Sequence, residues 1–175
     1  MNSLHVAVDA VELPIAEMPN TLERALAYWI EKKSSRLMPS RADIDPIEFK
    51  DYLGRVALVN VQEAAPRFKL RLIGSSHFFR KHGPRDGHDI MEVKPKEYAL
   101  EVARQYEETV ARREPTVFRT TLAFHGTAFS YTRLALPLGT DGNSPDMLLA
   151  VAMFKTDEQR DFFSRYEDEL ESLAG

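Results

Sequence analysis

Residues 67–90 read RFKLRLIGSSHFFRKHGPRDGHDI, an alternating apolar and basic run followed by His77, His82 and His88 within twelve positions. At its start Phe68, Leu70 and Leu72 alternate with Lys69 and Arg71, the period-two pattern of a strand with one core face and one wet face. "SSHFFRKHG" has the length of a short helix or helical turn ending at Gly83, and "PRDGHDIMEV" is turn-rich before Pro95 opens the next element. The histidines lack the i, i+3 or i, i+4 spacing that puts two ligands on one helical face, and no carboxylate cluster completes a coordination sphere. They read as exposed or capping residues, and no metal site is expected. Gly83 and Gly87 in "GPRDG" answer backbone needs at a turn better than they suit a phosphate cradle.

The flanking segments extend this strand into a sheet. "VALVNVQ" (56–62) is a second strand joined to the first by the tight link "EAAP", which suits an antiparallel pair. Upstream, "RADIDPIEFKDYLGR" predicts a short helix with Asp45 as N-cap, Pro46 at its first position, Glu48 at its third and Gly54 just past its end. Before that, Asn20 and Glu23 form a capping pair for a helix with Leu22, Leu26, Trp29, Ile30 and Leu37 as its apolar stripe. Residues 1–19, interrupted by Pro14 and Pro19, read as an N-terminal arm that is partly ordered at best.

Downstream, Tyr98, Val102, Tyr106 and Val110, with Ala99 and Ala103, recur at a spacing of four across residues 95–113, an amphipathic helix lying on a core. "TVFRTTLAFHG", "AFSYTRLALPL" and "DMLLAVAMF" then read as three strands, with turns at Gly126 and at "GTDGNSP". Thr156 with Gln159 starts a last helix through Leu173, whose seam is Phe163, Tyr166, Leu170 and Leu173. The chain divides into an arm (1–19), an N-terminal flanking helix (20–38), a domain (39–155) and a C-terminal helix (156–175). From residues alone this is an α+β domain with one five-stranded antiparallel sheet and helices massed on one face.

Composition narrows the function classes. A chain of 175 residues with 43% hydrophobic and 10% aromatic content can bury one sizeable core. A net charge of -4 provides no general attraction to nucleic acid or anionic membrane, and neither is expected as a partner. The absence of cysteine removes disulfides, thiolate ligands and thiol nucleophiles. No basic leader precedes a long apolar run, and no run reaches spanning length, so a cytoplasmic location is expected. Residues 67–94 hold an excess of Lys and Arg, which reads as a solvated face or as a dock for an acidic partner. Gly-x-Ser-x-Gly, Walker A, His-Glu-x-x-His and dinucleotide fingerprints are all missing, so catalysis would need a scattered constellation.

The order of elements, with its long helix between two strands and three, resembles the PAS domain. "RFKLRLIGSS" resembles the second PAS strand running into its first short helix, "GPRDGHDI" the glycine turn, and "FSYTRLALPLGTDGNSPDMLLAVAMFKTDEQ" the closing hairpin with its "DG" turn. "LMPSRADIDPIEF" and "RLIGS" resemble a bacterial subgroup of small, stand-alone PAS proteins. The resemblance implies a PAS fold with flanking helices and a sensor or protein-interaction module in signalling. Without a kinase, cyclase or DNA-binding domain in cis, its output is expected to pass through a protein partner in trans. The competing reading is an enzyme with a cone-shaped fold resembling ketosteroid isomerase, although that fold places its long helices before most of its sheet.

Similar flavin photosensors and the yellow-protein chromophore need a cysteine, and haem-binding PAS domains usually ligate through a histidine of the long helix; neither residue is present there, so no cofactor is expected. A small organic ligand, or none, is left. Its expected place is between the inner sheet face and the helices, near Phe68, Leu70, Leu72, Phe79, Tyr98, Val102, Tyr106, Phe118 and Tyr131. Arg119 and Arg133 can meet a carboxylate there if they point inward, which alternation alone does not settle. The terminal helices are expected to compete for one uncovered sheet face, so that a homodimer forms with at least one of them crossing the subunit boundary.

Overall fold

The structure, a computed structural model, describes residues 4–76 and 86–174. Strands β1 (Ala7–Glu12), β2 (Val56–Val61), β3 (Phe68–Ile73), β4 (Thr116–Phe124), β5 (Thr127–Leu138) and β6 (Met147–Met153) form one sheet in the order β1-β4-β5-β6-β2-β3. Every neighbouring pair is antiparallel. Among the described residues the α-helices are α1 (Asn20–Lys33), α2 (Lys96–Arg112) and α3 (Thr156–Ala174). β4 and β5 join through His125 and Gly126, both at positive φ (43° and 78°), the backbone that a two-residue hairpin loop matched to strand twist requires. Between β5 and β6, Asp141 Oδ1 accepts from the backbone N–H of Asn143 and Ser144, while Gly142 takes a φ of 72°.

Alternation splits the sheet into two apolar faces. Tyr131 and Ala135 of β5, Ala150 and Ala152 of β6, and Phe68 and Leu70 of β3 face α2, whose Tyr98, Val102 and Tyr106 complete that core. Leu134, Leu136, Leu149 and Val151 face the other way and are covered by Leu22, Ala25 and Trp29 of α1, with Met38 and Phe49 beside them. The central strands are thus buried on both sides, which is why their sequences read as near-continuous apolar runs. α2 is one residue shorter at each end than the expected 95–113, with Pro95 as N-cap and Arg113 closing it in the left-handed region at φ 57°.

Four expectations need correction. First, the sheet has six strands, because part of the N-terminal arm pairs with β4 as β1. Val6 is fully buried there, and Glu12 at the end of β1 forms a two-pronged ion pair with Arg112 of α2. Second, the alternation of Phe68, Leu70 and Leu72 breaks at Arg71. Leu70 pairs with Val59 but Leu72 with Leu58, leaving Arg71 as an extra residue. The shift sends Leu72 to the opposite face, 40% exposed, and Ile73 takes its inward place. Third, Asn20 is the first helical residue and Pro19 the N-cap, without a side-chain cap. The Asp45 segment forms turns and a 3-10 stretch (Lys50–Arg55) rather than an α-helix, although Asp45 Oδ1 does accept from Ile47 N–H.

Fourth, the terminal helices do not compete. α1 covers one face, while α3 shares the other with α2, packing Phe162 and Phe163 on Phe129 and setting Phe162 and Tyr166 against Phe124. Of the seam in α3, Phe163 and Tyr166 are buried, and Leu170 and Leu173 remain exposed.

Candidate functional site

Between α2 and the inner face of the sheet lies a cavity of ≈ 40 Å³, lined by Ala57, Leu70, Ile73, Ile90, Val93, Tyr98, Val102, Tyr106, Arg133, Ala150 and Ala152. The space follows from side-chain size: strands β2 and β6 contribute alanines where neighbouring layers carry leucine or phenylalanine, so the α2 tyrosines leave a gap above them. The walls are aliphatic except for Arg133 and the two tyrosines.

Arg133 sits in the middle of β5 at a position that alternation turns toward α2, and it is 7% exposed. Its Nη1 donates to Gln105 Oε1 and its Nη2 to the Tyr98 hydroxyl, each at 3.1 Å. The Tyr98 hydroxyl also lies 2.7 Å from that of Tyr131. The guanidinium is 5.0 Å from the ring centre of Tyr131 and 5.4 Å from that of Tyr106, which adds cation–π attraction. Burial alone would weaken the charge, but the surrounding tyrosine oxygens reverse that, and its pKa is raised above the ordinary arginine value. Burial also raises the Tyr106 and Tyr131 phenols, against the opposing pull of Arg133.

Gln105 connects this group to α2's outer face. Its Nε2 donates to Thr120 Oγ1 and to Glu101 Oε1, each at 2.9 Å. Glu101 is itself held by Arg104 through two contacts of 2.7 and 2.9 Å. Burial opposes ionisation of Glu101, but these hydrogen bonds prevail and its pKa is lowered. The Arg104–Glu101 pair is therefore neutral as a unit. Among the described residues no carboxylate lies within 4.0 Å of Arg133.

Of the ten residues expected around a ligand, Leu70, Tyr98, Val102, Tyr106 and Arg133 line the cavity, and Tyr131 joins through its hydroxyl. Phe68 is buried beside them with its ring 5.5 Å from that of Tyr106. Phe118 is buried under the Arg104 guanidinium instead. Leu72 faces away, and Phe79 lies outside the described residues. The direction of the two arginines is resolved: Arg133 points in and Arg119 is exposed. Sequence reasoning missed Gln105, although a glutamine three residues after Val102 and beside Tyr106 is a polar interruption of an apolar stripe and signals a buried polar partner.

His77 and His82 also fall outside the described residues, while His88 Nδ1 lies 2.7 Å from Glu92 Oε2 at the surface. Among the described residues no cluster of metal-ligating side chains occurs. Gly87 has a φ of 93°, so a turn requirement accounts for it.

A six-stranded antiparallel sheet, a long helix across its inner face and a small chamber between them define an α+β module of one sheet with helices on both faces. A family model described as PAS domain matches residues 18–152, and the chain belongs to that family. PAS domains are sensor and interaction modules of signalling. No curated protein and no solved structure matches the chain.

Proposed function

We propose that the chain is a non-catalytic cytoplasmic sensor in bacterial signalling, which admits a small molecule to the cavity under α2 and signals through a separate protein partner. The observation that carries this is the polar group set in an apolar chamber: Arg133, Tyr98 and Tyr106 converge on one space whose other walls are aliphatic. Ligand sites have this composition, a few placed polar groups among apolar walls. The chamber's contact with α2 supplies a route outward, because Gln105 and Glu101 tie its interior to the helix surface.

Two features favour sensing over an isomerase-like enzyme. Among the described lining residues there is no carboxylate or imidazole to act as a general base. A space of ≈ 40 Å³ is also far below what a flavin ring or haem occupies, which supports a reading without either cofactor. Among the described residues no helix is long and apolar enough to cross a membrane.

Native mass spectrometry of gently purified protein, followed by thermal shifts against a panel of small anionic and neutral metabolites, tests the proposal. A retained small molecule or a saturable shift is expected. No retained species and no shift across the panel would remove the sensory reading.

A further inference from the structure

Resting on the sensory reading above, we infer that the cavity is built for a short-chain monocarboxylate, with the carboxylate on Arg133 and Tyr106 and the alkyl end against the alanines of β2 and β6. A guanidinium carries five N–H donors. In Arg133 one goes to Gln105 and one to Tyr98, and the remaining three have no acceptor among the described residues. Tyr106 is 2% exposed, and its hydroxyl likewise makes no hydrogen bond among the described residues. Buried donors without acceptors are rare, because each forfeits its solvation without return. Here several border the same space, and every one of them needs an acceptor.

Charge points the same way. Glu101 is the carboxylate tied to this network, and Arg104 already neutralises it, so the chamber retains the unmatched positive charge of Arg133. Tyrosine faces soften that charge but supply no anion. A planar carboxylate matches the fork of a guanidinium, whereas an amide or alcohol adds no charge. Size sets the chain length: a volume of ≈ 40 Å³ holds roughly three waters, about the space of acetate, with propionate at the upper limit. Ala57, Ala150 and Ala152 provide an aliphatic floor that suits those carbons and repels a second charged group.

The experiment is calorimetric titration of the full chain, in a carboxylate-free buffer, with acetate, propionate, butyrate and succinate, and with propionamide and 1-propanol as neutral counterparts. Saturable binding of acetate or propionate is expected, with propionamide, 1-propanol and succinate at least about tenfold weaker. Arg133→Lys should weaken propionate by about tenfold or more while keeping a charge in place, and Tyr106→Phe by a few fold. Circular dichroism establishes that both variants are folded, and Tyr106→Phe, which breaks no internal hydrogen bond, keeps the test valid if Arg133→Lys is not. Equal binding of propionamide and propionate would overturn the carboxylate assignment while leaving a ligand chamber. No saturable binding of any monocarboxylate, with the cavity holding water only, would overturn it as well, and the metabolite panel above then decides the sensory reading separately.

Discussion

The indole N–H of Trp29 donates to the carbonyl of Pro137 at 2.8 Å, linking α1 to the central strand β5 across 108 residues of chain. Trp29 is buried with Leu22 and Ala25 on the sheet face opposite the cavity, so α1 is part of the domain's second core. Trp29→Phe removes the hydrogen bond, leaves the carbonyl facing a ring and shrinks the contact. The expected loss is about 1–3 kcal/mol of unfolding free energy, read by far-ultraviolet circular dichroism in urea. A midpoint unchanged from the parent chain would mean that α1 contributes nothing to the cooperative unit.

Gln105 is the hub of the buried network, accepting from Arg133 and donating to Thr120 and Glu101. Gln105→Leu is close in volume but leaves Arg133 with one protein acceptor fewer and removes a donor from Thr120 and Glu101. A destabilisation of about 2–4 kcal/mol is expected by chemical denaturation, larger than for Val102→Ala if electrostatics outweighs packing at this level of α2. An unaffected Gln105→Leu protein would show that water replaces all three contacts.

Burial holds the phenols of Tyr106 and Tyr131 protonated above the ordinary tyrosine value. The unfolded chain ionises them first, near pH of about 10. Their contribution to stability is therefore complete below that pH and is lost as pH rises toward the folded-state values, by up to about 1.4 kcal/mol per pH unit for each phenol. Urea unfolding at several alkaline pH values checks this, and Tyr131→Phe and Tyr106→Phe should each flatten the decline. An identical slope in both variants would assign the alkaline loss to other groups.

Leu170 and Leu173 lie on α3 beyond the residues buried in the core, and both are exposed. We propose that this end of α3 meets its counterpart in a homodimer. Light scattering on the full chain is expected to give a dimer mass, and Leu170→Glu with Leu173→Glu a monomer with the same circular dichroism. Ending the chain at Lys155 is a poor alternative, since it strips Phe162, Phe163 and Tyr166 from the main core, where each aromatic truncation costs about 3–5 kcal/mol. A monodisperse monomer for the unmodified chain at high concentration would end the proposal.

The period-four stripe of α2 and the apolar runs of β5 and β6 were legible because burial on one or two faces imposes a repeat that residue types reveal directly. Two features resisted for physical reasons. The extra residue at Arg71 leaves composition untouched while exchanging Leu72 for Ile73 on the inner face, so periodicity alone assigns the wrong leucine. β1 is short and lies at the sheet edge with mostly exposed side chains, so its pairing with β4 depends on backbone hydrogen bonds that no side-chain pattern records. At the site, Tyr98, Val102 and Tyr106 followed from their helix face, whereas Arg133 needed the parity of β5 against α2. Gln105 needed the recognition that one polar residue in a core stripe implies a second.

β1 also bears on where the domain physically begins. The family match starts at residue 18, eleven positions after β1 opens at Ala7. A recombinant fragment cut at the family boundary would lack the strand that occupies one side of β4, and the N–H and C=O groups that β4 turns toward β1 between Phe118 and Ala123 would lose their partners. Uncovered, the nine-residue β4 is a longer edge than the six-residue β1 and a better template for another copy of the chain, so the shortened fragment is expected to self-associate edge to edge, and β1 acts as a guard against that aggregation.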